Sequence, residues 1–178
     1  MTGHDFKKPG LIRAGFNYQD LVAIEVLIDF YKQRDRYEWV QVDTEDKEFR
    51  SIDDVVAFRP DNQYELTQVK FTGNPQEASN GLSWAWLTAK SGQGTSLLQK
   101  WSATVLLHDK AGTLAKAVLK TNRIPDAAIA RYLDGSKIEY SRLTDGEKTI
   151  VLDQQARTGK RGSDWLERYR WIRPWLTF

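Results

Sequence analysis

The sequence predicts an α/β fold in which helices flank a central mixed β-sheet. Two segments have the apolar spacing of core helices, one from Tyr18 to Tyr31 and one from Thr95 or Ser96 to about His108. Short segments rich in β-branched and aromatic residues lie between and after them, and this composition favours strands. Alternating helices and strands of this kind build layers around one core. The predicted strands are 38–42, 49–58, 64–72 and 115–121.

The first helix is preceded by a short polar segment. Residues 1–14 contain Gly3, Pro9 and Gly10, which is typical of a flexible lead-in, and residues 15–178 are assigned to one domain. Apolar side chains between Tyr18 and Tyr31 cover nearly every face of the helix. This helix is therefore expected to be largely buried against the sheet.

Chain length and composition limit the classes of function. A chain of 178 residues with 40% hydrophobic content can bury one ordinary core. The absence of cysteine excludes disulfides and thiolate zinc sites. The first thirty residues contain no long apolar run, so neither a signal peptide nor a membrane anchor is predicted and a cytoplasmic location is expected. A net charge of +2 is too small to indicate nucleic-acid binding by itself.

The later part of the chain gives weaker patterns. Residues 82–87 are apolar enough to form a short docked element, and Ile124-Pro125-Asp126 is expected to open a short helix that extends to Leu133. The remaining predictions are a strand at 137–143, a helix at 146–156, a polar loop at 157–163 and an aromatic, basic segment at 165–178.

Three polar residues on the predicted hairpin form the most informative pattern. Gln68 and Lys70 share one face of the second strand because strand side chains alternate, and Asp54 lies near the start of the preceding strand. A carboxylate and an amide oxygen at this position suit Mg²⁺ or Mn²⁺. Lys70 would orient or deprotonate an attacking water and offset the charge that develops on a phosphate. The pattern therefore predicts phosphodiester hydrolysis, although the same residues also fit the polar face of an ordinary hairpin.

The acid, the spacer and the Gln68-Val69-Lys70 triplet resemble the signature of the PD-(D/E)XK nucleases, in the Gln-X-Lys form of Mrr-like restriction endonucleases. Gly15-Phe16-Asn17-Tyr18-Gln19 and Asp53-Asp54-Val55-Val56 narrow the resemblance to the nuclease domains of antiphage effectors. These domains accompany a SAVED nucleotide sensor or a STAND NTPase. Later landmarks extend the resemblance over most of residues 15–175, namely 94–101 and 119–123.

The resemblance implies a restriction-endonuclease-like fold that cuts double-stranded DNA with Mg²⁺, for which Mn²⁺ is a possible substitute. It also implies a longer chain with a sensor or oligomerisation domain, a homo-oligomer when active, and no membrane. Asp54 and Gln68 would be the metal ligands and Lys70 the family lysine. Gln68 departs from the usual acid, and a neutral amide contributes less charge to a cation.

Two other acids are further candidates. Glu25 falls on a face of the helix that is expected to meet the sheet. The family often places an acid there. The alternative is that Glu25 forms a structural ion pair with a Lys or Arg of a neighbouring element. Asp53 points away from Asp54 in a regular strand, but a β-bulge would exchange the two. Gln19 lies on a different side of the helix from Glu25 and is expected to make a packing or capping hydrogen bond rather than to take part in catalysis.

Several basic residues are candidates for DNA contact. The polar loop has three basic residues beside glycines, namely Arg157, Lys160 and Arg161, and Lys90 lies in a glycine-rich segment. All four are candidates for contacts with DNA phosphates. The alternative is that they are ordinary solvent-exposed loop residues. The segment 165–178 is expected to bind nucleic acid or, more in keeping with its aromatic content, to dock a following domain.

Two alternative functions remain open. One is a nuclease-fold domain that has lost catalysis and binds nucleic acid or mediates assembly. The other is an interaction domain that docks partners through its Trp-rich C-terminal segment. His4 and His108 are isolated in the sequence, so neither a histidine zinc site nor a Ser-His system is predicted.

Overall fold

Residues 9–90, 94–134, 137–138 and 144–146 are described by the structure, which is a computed structural model. The predictions at 146–156, 157–163 and 165–178 lie wholly or almost wholly outside these residues, as do Arg157, Lys160 and Arg161. The elements in chain order are α1 Pro9–Lys32, β1 Trp39–Val42, β2 Val55–Phe58, β3 Tyr64–Lys70, a 3₁₀ turn Ala78–Asn80, α2 Trp84–Thr88, α3 Leu97–Ala111, β4 Leu114–Thr121, α4 Ala127–Ala130, β5 Leu133–Asp134 and β6 Lys137–Ile138.

The central sheet is mixed, as predicted. Its strand order is β1-β2-β3-β4, with antiparallel pairing from β1 to β3 and parallel pairing between β3 and β4. The β2–β3 hairpin turns at Asn62, whose φ of 60° is left-handed, a conformation that asparagine tolerates. Parallel pairing of β3 with β4 requires a crossover, and α2 and α3 provide it.

The two faces of the sheet pack against different helices. Leu66 on β3 and Leu119 on β4 point to one face and join Leu98 and Trp101 of α3 in the main core. The opposite face carries Val55, Val69 and Val118 and lies under α1, which buries Val22 and Ala23. The molecule is therefore α/β with helices on both sides of the sheet.

Helix α3 begins and ends at strong sequence signals. Ser96 is the N-cap, and its hydroxyl accepts a hydrogen bond from the Gln99 backbone N–H while the Gln99 side chain accepts one from the Ser96 N–H. Gly112 ends the helix with a left-handed φ of 71°. Of the two predicted caps, Ser96 is correct, and the helix continues to Ala111 rather than ending near His108.

Helix α1 departs from its prediction in two ways. It begins at Pro9, so part of the expected lead-in 1–14 is helical, which suits proline in the first turn of a helix. It is not largely buried either, because Leu21, Ile24 and Ile28 are exposed. The sheet contacts only the side of the helix that carries Val22 and Ala23, so the apolar residues on the other side are exposed. No described helix meets the length and hydrophobicity that a membrane-spanning segment requires.

Other predicted boundaries shift as well. Strand β2 starts at Val55 rather than Phe49, because residues 49–54 form turns in which the Ile52 N–H bonds to the Phe49 carbonyl at 2.7 Å. The predicted helix to residue 133 is reduced to Ala127–Ala130, capped by Asp126.

Candidate active site

Asp54 and Gln68 meet where β2 begins and β3 nears its end. The register pairs Val55 with Thr67, so the residue before β2 falls opposite Gln68, and side-chain alternation turns both side chains to the α3 face. The Gln68 amide donates a hydrogen bond to Asp54 Oδ2, and the Val69 backbone N–H donates to the same oxygen at 2.5 Å. Gln68 is buried at 3% exposure, so its amide is held rather than solvated.

Lys70 belongs electrostatically to the same group. It lies two residues after Gln68 on the same strand face. Burial raises the pKa of Asp53 and Asp54, and the Lys70 ammonium offsets part of that rise in both acids. The strand end that follows Lys70 is fixed by Asn122, whose side chain accepts from the Thr72 N–H at 2.8 Å and donates to the Thr72 carbonyl at 2.7 Å. This clamp joins the ends of β3 and β4 and so limits the movement of Lys70.

Asp43 is a third acid near the site that the sequence patterns did not reveal. It follows β1 directly, and its N–H donates to the Asp54 carbonyl at 3.1 Å. The backbone at Asp43 is left-handed, with φ of 51°, and its carboxylate accepts a hydrogen bond from the Gln19 side chain. Non-glycine residues in this region cluster at functional sites. Asp43 is recognised only once the register of β1 against β2 is known, because that register pairs Val42 with Val55 and so brings the next residue beside Asp54.

The negative charge of the acidic side chains is only partly offset by nearby hydrogen-bond donors and by Lys70. Burial raises the pKa of Asp54 above its usual value, and the neighbouring carboxylates of Asp53 and Asp43 raise it further. The Val69 N–H and the Lys70 ammonium act in the opposite direction without cancelling the effect. Burial also raises the pKa of Asp53, with Asp43 adding to it. Three carboxylates beside one lysine leave an excess of negative charge that a divalent cation is suited to neutralise.

Glu25 does not join this group. Its carboxylate lies 3.3 Å from Lys120 Nζ, and its side chain is 62% exposed. Lys120 pairs with Val69 in the sheet register, so it points to the α1 face, opposite to Gln68. The expectation that Glu25 lies on a buried face is wrong, because α1 presents that side to solvent. The ion-pair alternative is the arrangement found.

The remaining sequence candidates take other places. Gln19 donates a side-chain hydrogen bond to Asp43, one of the acids near the site. Lys90 is exposed just before the α3 cap, where its backbone forms an isolated bridge with Ser96. His108 is buried, and its ring nitrogens lie 3.1 Å from Thr113 Oγ1 and 3.3 Å from the Glu48 carbonyl oxygen. Both ring nitrogens are therefore used in structural contacts.

The oxygen donors of the site suit Mg²⁺ or Mn²⁺ by type and by charge. Among the described residues, no three carboxylate or imidazole groups are arranged as a ready-made metal centre. Gln68 donates its N–H to Asp54, and rotation of the amide by half a turn directs Oε1 to the same position. The residues therefore fit a cation held by Asp54 and Gln68, with the remaining positions left to water and phosphate oxygens.

Comparison of the chain with protein-family models, with curated protein sequences and with solved structures finds no match in any of the three.

Proposed function

We propose that this chain is a metal-dependent endonuclease that hydrolyses phosphodiester bonds in double-stranded DNA. The observation that carries the proposal is the meeting of the Asp54 carboxylate with the Gln68 amide and the Val69 N–H, with Lys70 on the same strand face. These residues are the ones that the PD-(D/E)XK resemblance assigns to catalysis. The order of the described elements is compatible with the restriction-endonuclease-like core that the resemblance implies. Helix α1 comes first, the antiparallel strands β1 to β3 follow, and α3 then leads to the parallel strand β4.

Each residue of the group has a defined chemical part. Asp54 and Gln68 Oε1 would hold Mg²⁺, which when bound supplies Lewis-acid polarisation of a phosphate oxygen and a more acidic water. Lys70 Nζ orients the attacking water and offsets negative charge on the phosphorus oxygens in the transition state. Asn122 acts through backbone hydrogen bonds that hold the end of β3, so it is a positioning residue.

The biological setting follows from the resemblance alone. It implies a cytoplasmic effector of bacterial antiphage defence, in which a sensor or oligomerisation domain in a longer chain assembles the nuclease on its DNA. Lys90 and the basic residues Arg157, Lys160 and Arg161 remain the candidates for phosphate contacts.

The test is cleavage of supercoiled plasmid by the chain with Mg²⁺ and with EDTA. Cleavage is expected only with Mg²⁺, and Asp54→Asn or Lys70→Ala should lower the rate by at least about a hundredfold, since each removes a group that acts on the reacting phosphate. Lys116→Ala is the matched control because Lys116 is exposed on the neighbouring strand β4. Glu25→Gln should also cleave at nearly the wild-type rate.

The proposal fails if EDTA leaves cleavage unchanged or if Lys70→Ala cleaves as fast as Lys116→Ala. A second measurement is Mg²⁺ binding by calorimetry, in which Asp54→Asn should bind more weakly than wild type.

A second candidate is a domain of the same fold that binds nucleic acid without cutting it. The neutral Gln68 favours this candidate, as does the lack of a ready-made metal centre among the described residues. Gln68→Glu separates the two candidates, because an added carboxylate should strengthen Mg²⁺ binding and cleavage in a nuclease. A pure binding domain should retain the same DNA affinity with Mg²⁺ or EDTA, and neither wild type nor Gln68→Glu should cut.

A further inference from the structure

Arg123 has no carboxylate partner among the residues that the structure describes. Its guanidinium is fixed on two sides, because Nη1 donates to the Asn80 carbonyl oxygen at 2.6 Å and the guanidinium carbon lies 4.4 Å from the centre of the Trp86 ring. Nε is buried and has no acceptor in the same part of the chain. Burial lowers the pKa of the guanidinium. The positive charge is therefore partly withdrawn from water without a described anion to neutralise it.

Two acids border this region, and each has another partner. Glu77, just before the 3₁₀ turn, accepts a hydrogen bond from the Ser79 hydroxyl at 2.8 Å. Asp126 caps α4 and accepts from the Ile129 N–H at 2.8 Å. A buried donor that lacks an acceptor is destabilising, and in native proteins such a group can mark the place of an ion or ligand. The arrangement around Arg123 therefore favours an external anion.

Arg123 lies at the same end of the sheet as the candidate active site. The parallel register pairs Thr121 with Lys70, and Arg123 follows two residues later. Trp86, which holds the guanidinium, packs against the main core on the α3 face of the sheet. Gln68 and Lys70 point to that same face. A ligand that covers the candidate active site is thus well placed to reach Arg123 as well.

We propose that the Arg123 guanidinium, held against the Trp86 ring, binds a backbone phosphate of the DNA duplex other than the phosphate that is cut. The inference rests on the proposed nuclease function for the identity of the ligand. Lys70 acts on the reacting phosphate, whereas Arg123 contributes affinity and fixes the position of the duplex on the protein.

The chemistry of the guanidinium suits this ligand. Nη1 and Nη2 carry two N–H groups each, and Asn80 uses one of the four. The outer edge of the group can therefore donate in parallel to two phosphate oxygens, as arginine commonly does with phosphates. The contacts with Asn80 and Trp86 set the plane of the guanidinium before DNA arrives, so less side-chain freedom is lost on binding.

The first test measures binding of the full chain to a short fluorescent DNA duplex by anisotropy, in EDTA so that metal-dependent cleavage does not interfere. Arg123→Gln should bind at least about tenfold more weakly than wild type, because it removes a charge-assisted contact. Arg34→Gln is the matched control and should bind nearly as wild type, since Arg34 also stacks on an aromatic ring, 5.6 Å from the centre of Tyr31, and removing it changes the net charge equally.

The second test repeats the titration over a range of salt concentrations, which separates a phosphate contact from a structural role. The plot of log affinity against log salt should become shallower by about one unit in Arg123→Gln, as loss of one phosphate contact requires. Arg123→Lys should keep the wild-type slope, because the charge remains, but should bind more weakly because it lacks the planar pair of donors.

The inference and the proposed function can fail separately. If plasmid is cut with Mg²⁺ but Arg123→Gln binds duplex with the affinity and salt slope of Arg34→Gln, the phosphate contact is overturned and the nuclease stands. That result is expected if a carboxylate from another segment of the same chain neutralises Arg123. If wild type does not cut but loses affinity and slope through Arg123→Gln, the nuclease proposal fails and the phosphate contact is supported.

Discussion

The two ends of β3 hold their carboxylates in opposite ways. Near the start of the strand, Glu65 accepts a hydrogen bond from the Tyr37 hydroxyl at 2.9 Å and pairs with Arg36 at 3.3 Å and Arg59 at 3.5 Å. Near the end of the strand, Asp54 accepts from an amide and a backbone N–H and lies close to other carboxylates. One carboxylate is surrounded by donors and cations, while the other is left with excess negative charge.

This contrast separates a structural ion-pair network from a candidate site within one strand. A buried charge that is fully paired contributes to a defined fold, and removing its partner is costly. A buried acid whose pKa is raised by burial and by like charges costs stability when ionised, and such acids cluster at functional sites. The same sheet therefore gains stability at the Glu65 end and gives up some of it at the Asp54 end.

The largest effect is expected from breaking the paired end. Glu65→Ala should lower the free energy of unfolding by about 3 to 4 kcal/mol, because it leaves two arginines close together and a buried tyrosine hydroxyl without its acceptor. Urea unfolding at neutral pH measures the change. Asp61→Ala is the control, since it removes only the exposed partner of Arg59 and should cost less than about 1 kcal/mol. Equal losses in the two variants would refute the comparison.

The pH dependence of the paired end is the next test. Burial raises the pKa of Tyr37 to about 12, and the Glu65 carboxylate adds to the shift. Because the folded pKa lies above the usual value near 10, the stabilisation is complete below pH 10 and is lost as the pH rises through 12. Over that interval the wild type should lose about 2 to 3 kcal/mol more than Tyr37→Phe.

Chemical unfolding at pH 9, 10, 11 and 12 measures the difference between the two proteins. At pH 9 Tyr37→Phe should be the less stable of the two, since it lacks the hydrogen bond to Glu65. The order of the two proteins should then reverse as the pH rises, because the loss expected for the wild type is larger than the roughly 1 kcal/mol that one hydrogen bond contributes. Parallel curves across the whole range would show that Tyr37 does not titrate with folding.

The contrast between the two ends was only half visible in the sequence. The hairpin order and strand alternation were sufficient to bring Asp54 and Gln68 together, because both depend on local geometry with a period of two residues. The Glu65 network was not predicted, since Arg36 and Tyr37 come from the segment between α1 and β1 and reach Glu65 only through the tertiary fold. Asp43 was missed for a similar reason, because its position depends on the register of β1 against β2.

Helix α1 shows a different limit. Its apolar residues surround the helix, so the pattern predicts a helix but does not say which side meets the sheet. The sheet takes the side of Val22 and Ala23 and leaves Ile24 and Glu25 exposed. A helix with two apolar faces has two surfaces to cover, and in one chain the sequence cannot distinguish the internal contact from an external one. The misplaced Glu25 and the exposed apolar residues of α1 follow from the same ambiguity.

The smallest effect is expected at the unpaired end, and it has the opposite sign. Asp54→Asn should raise the free energy of unfolding at neutral pH by up to about 1 kcal/mol, although it should abolish cleavage. The folded pKa of Asp54 is raised, so the ionised acid destabilises the fold above its usual pKa near 4, and the neutral amide removes that cost. The gain should disappear below pH 4, where the acid is protonated in both states.

Unfolding in EDTA at pH 7 and at acid pH, followed by unfolding in Mg²⁺, measures this difference. Mg²⁺ should stabilise the wild type in proportion to its occupancy of the site and leave Asp54→Asn nearly unchanged, so that the wild type becomes the more stable protein. If the variant is less stable than the wild type in EDTA, the surrounding donors and Lys70 do offset the charge of the Asp54 carboxylate. The two ends of β3 would then differ only in which donors surround the acid, and the case for a cation at Asp54 would lose its electrostatic basis.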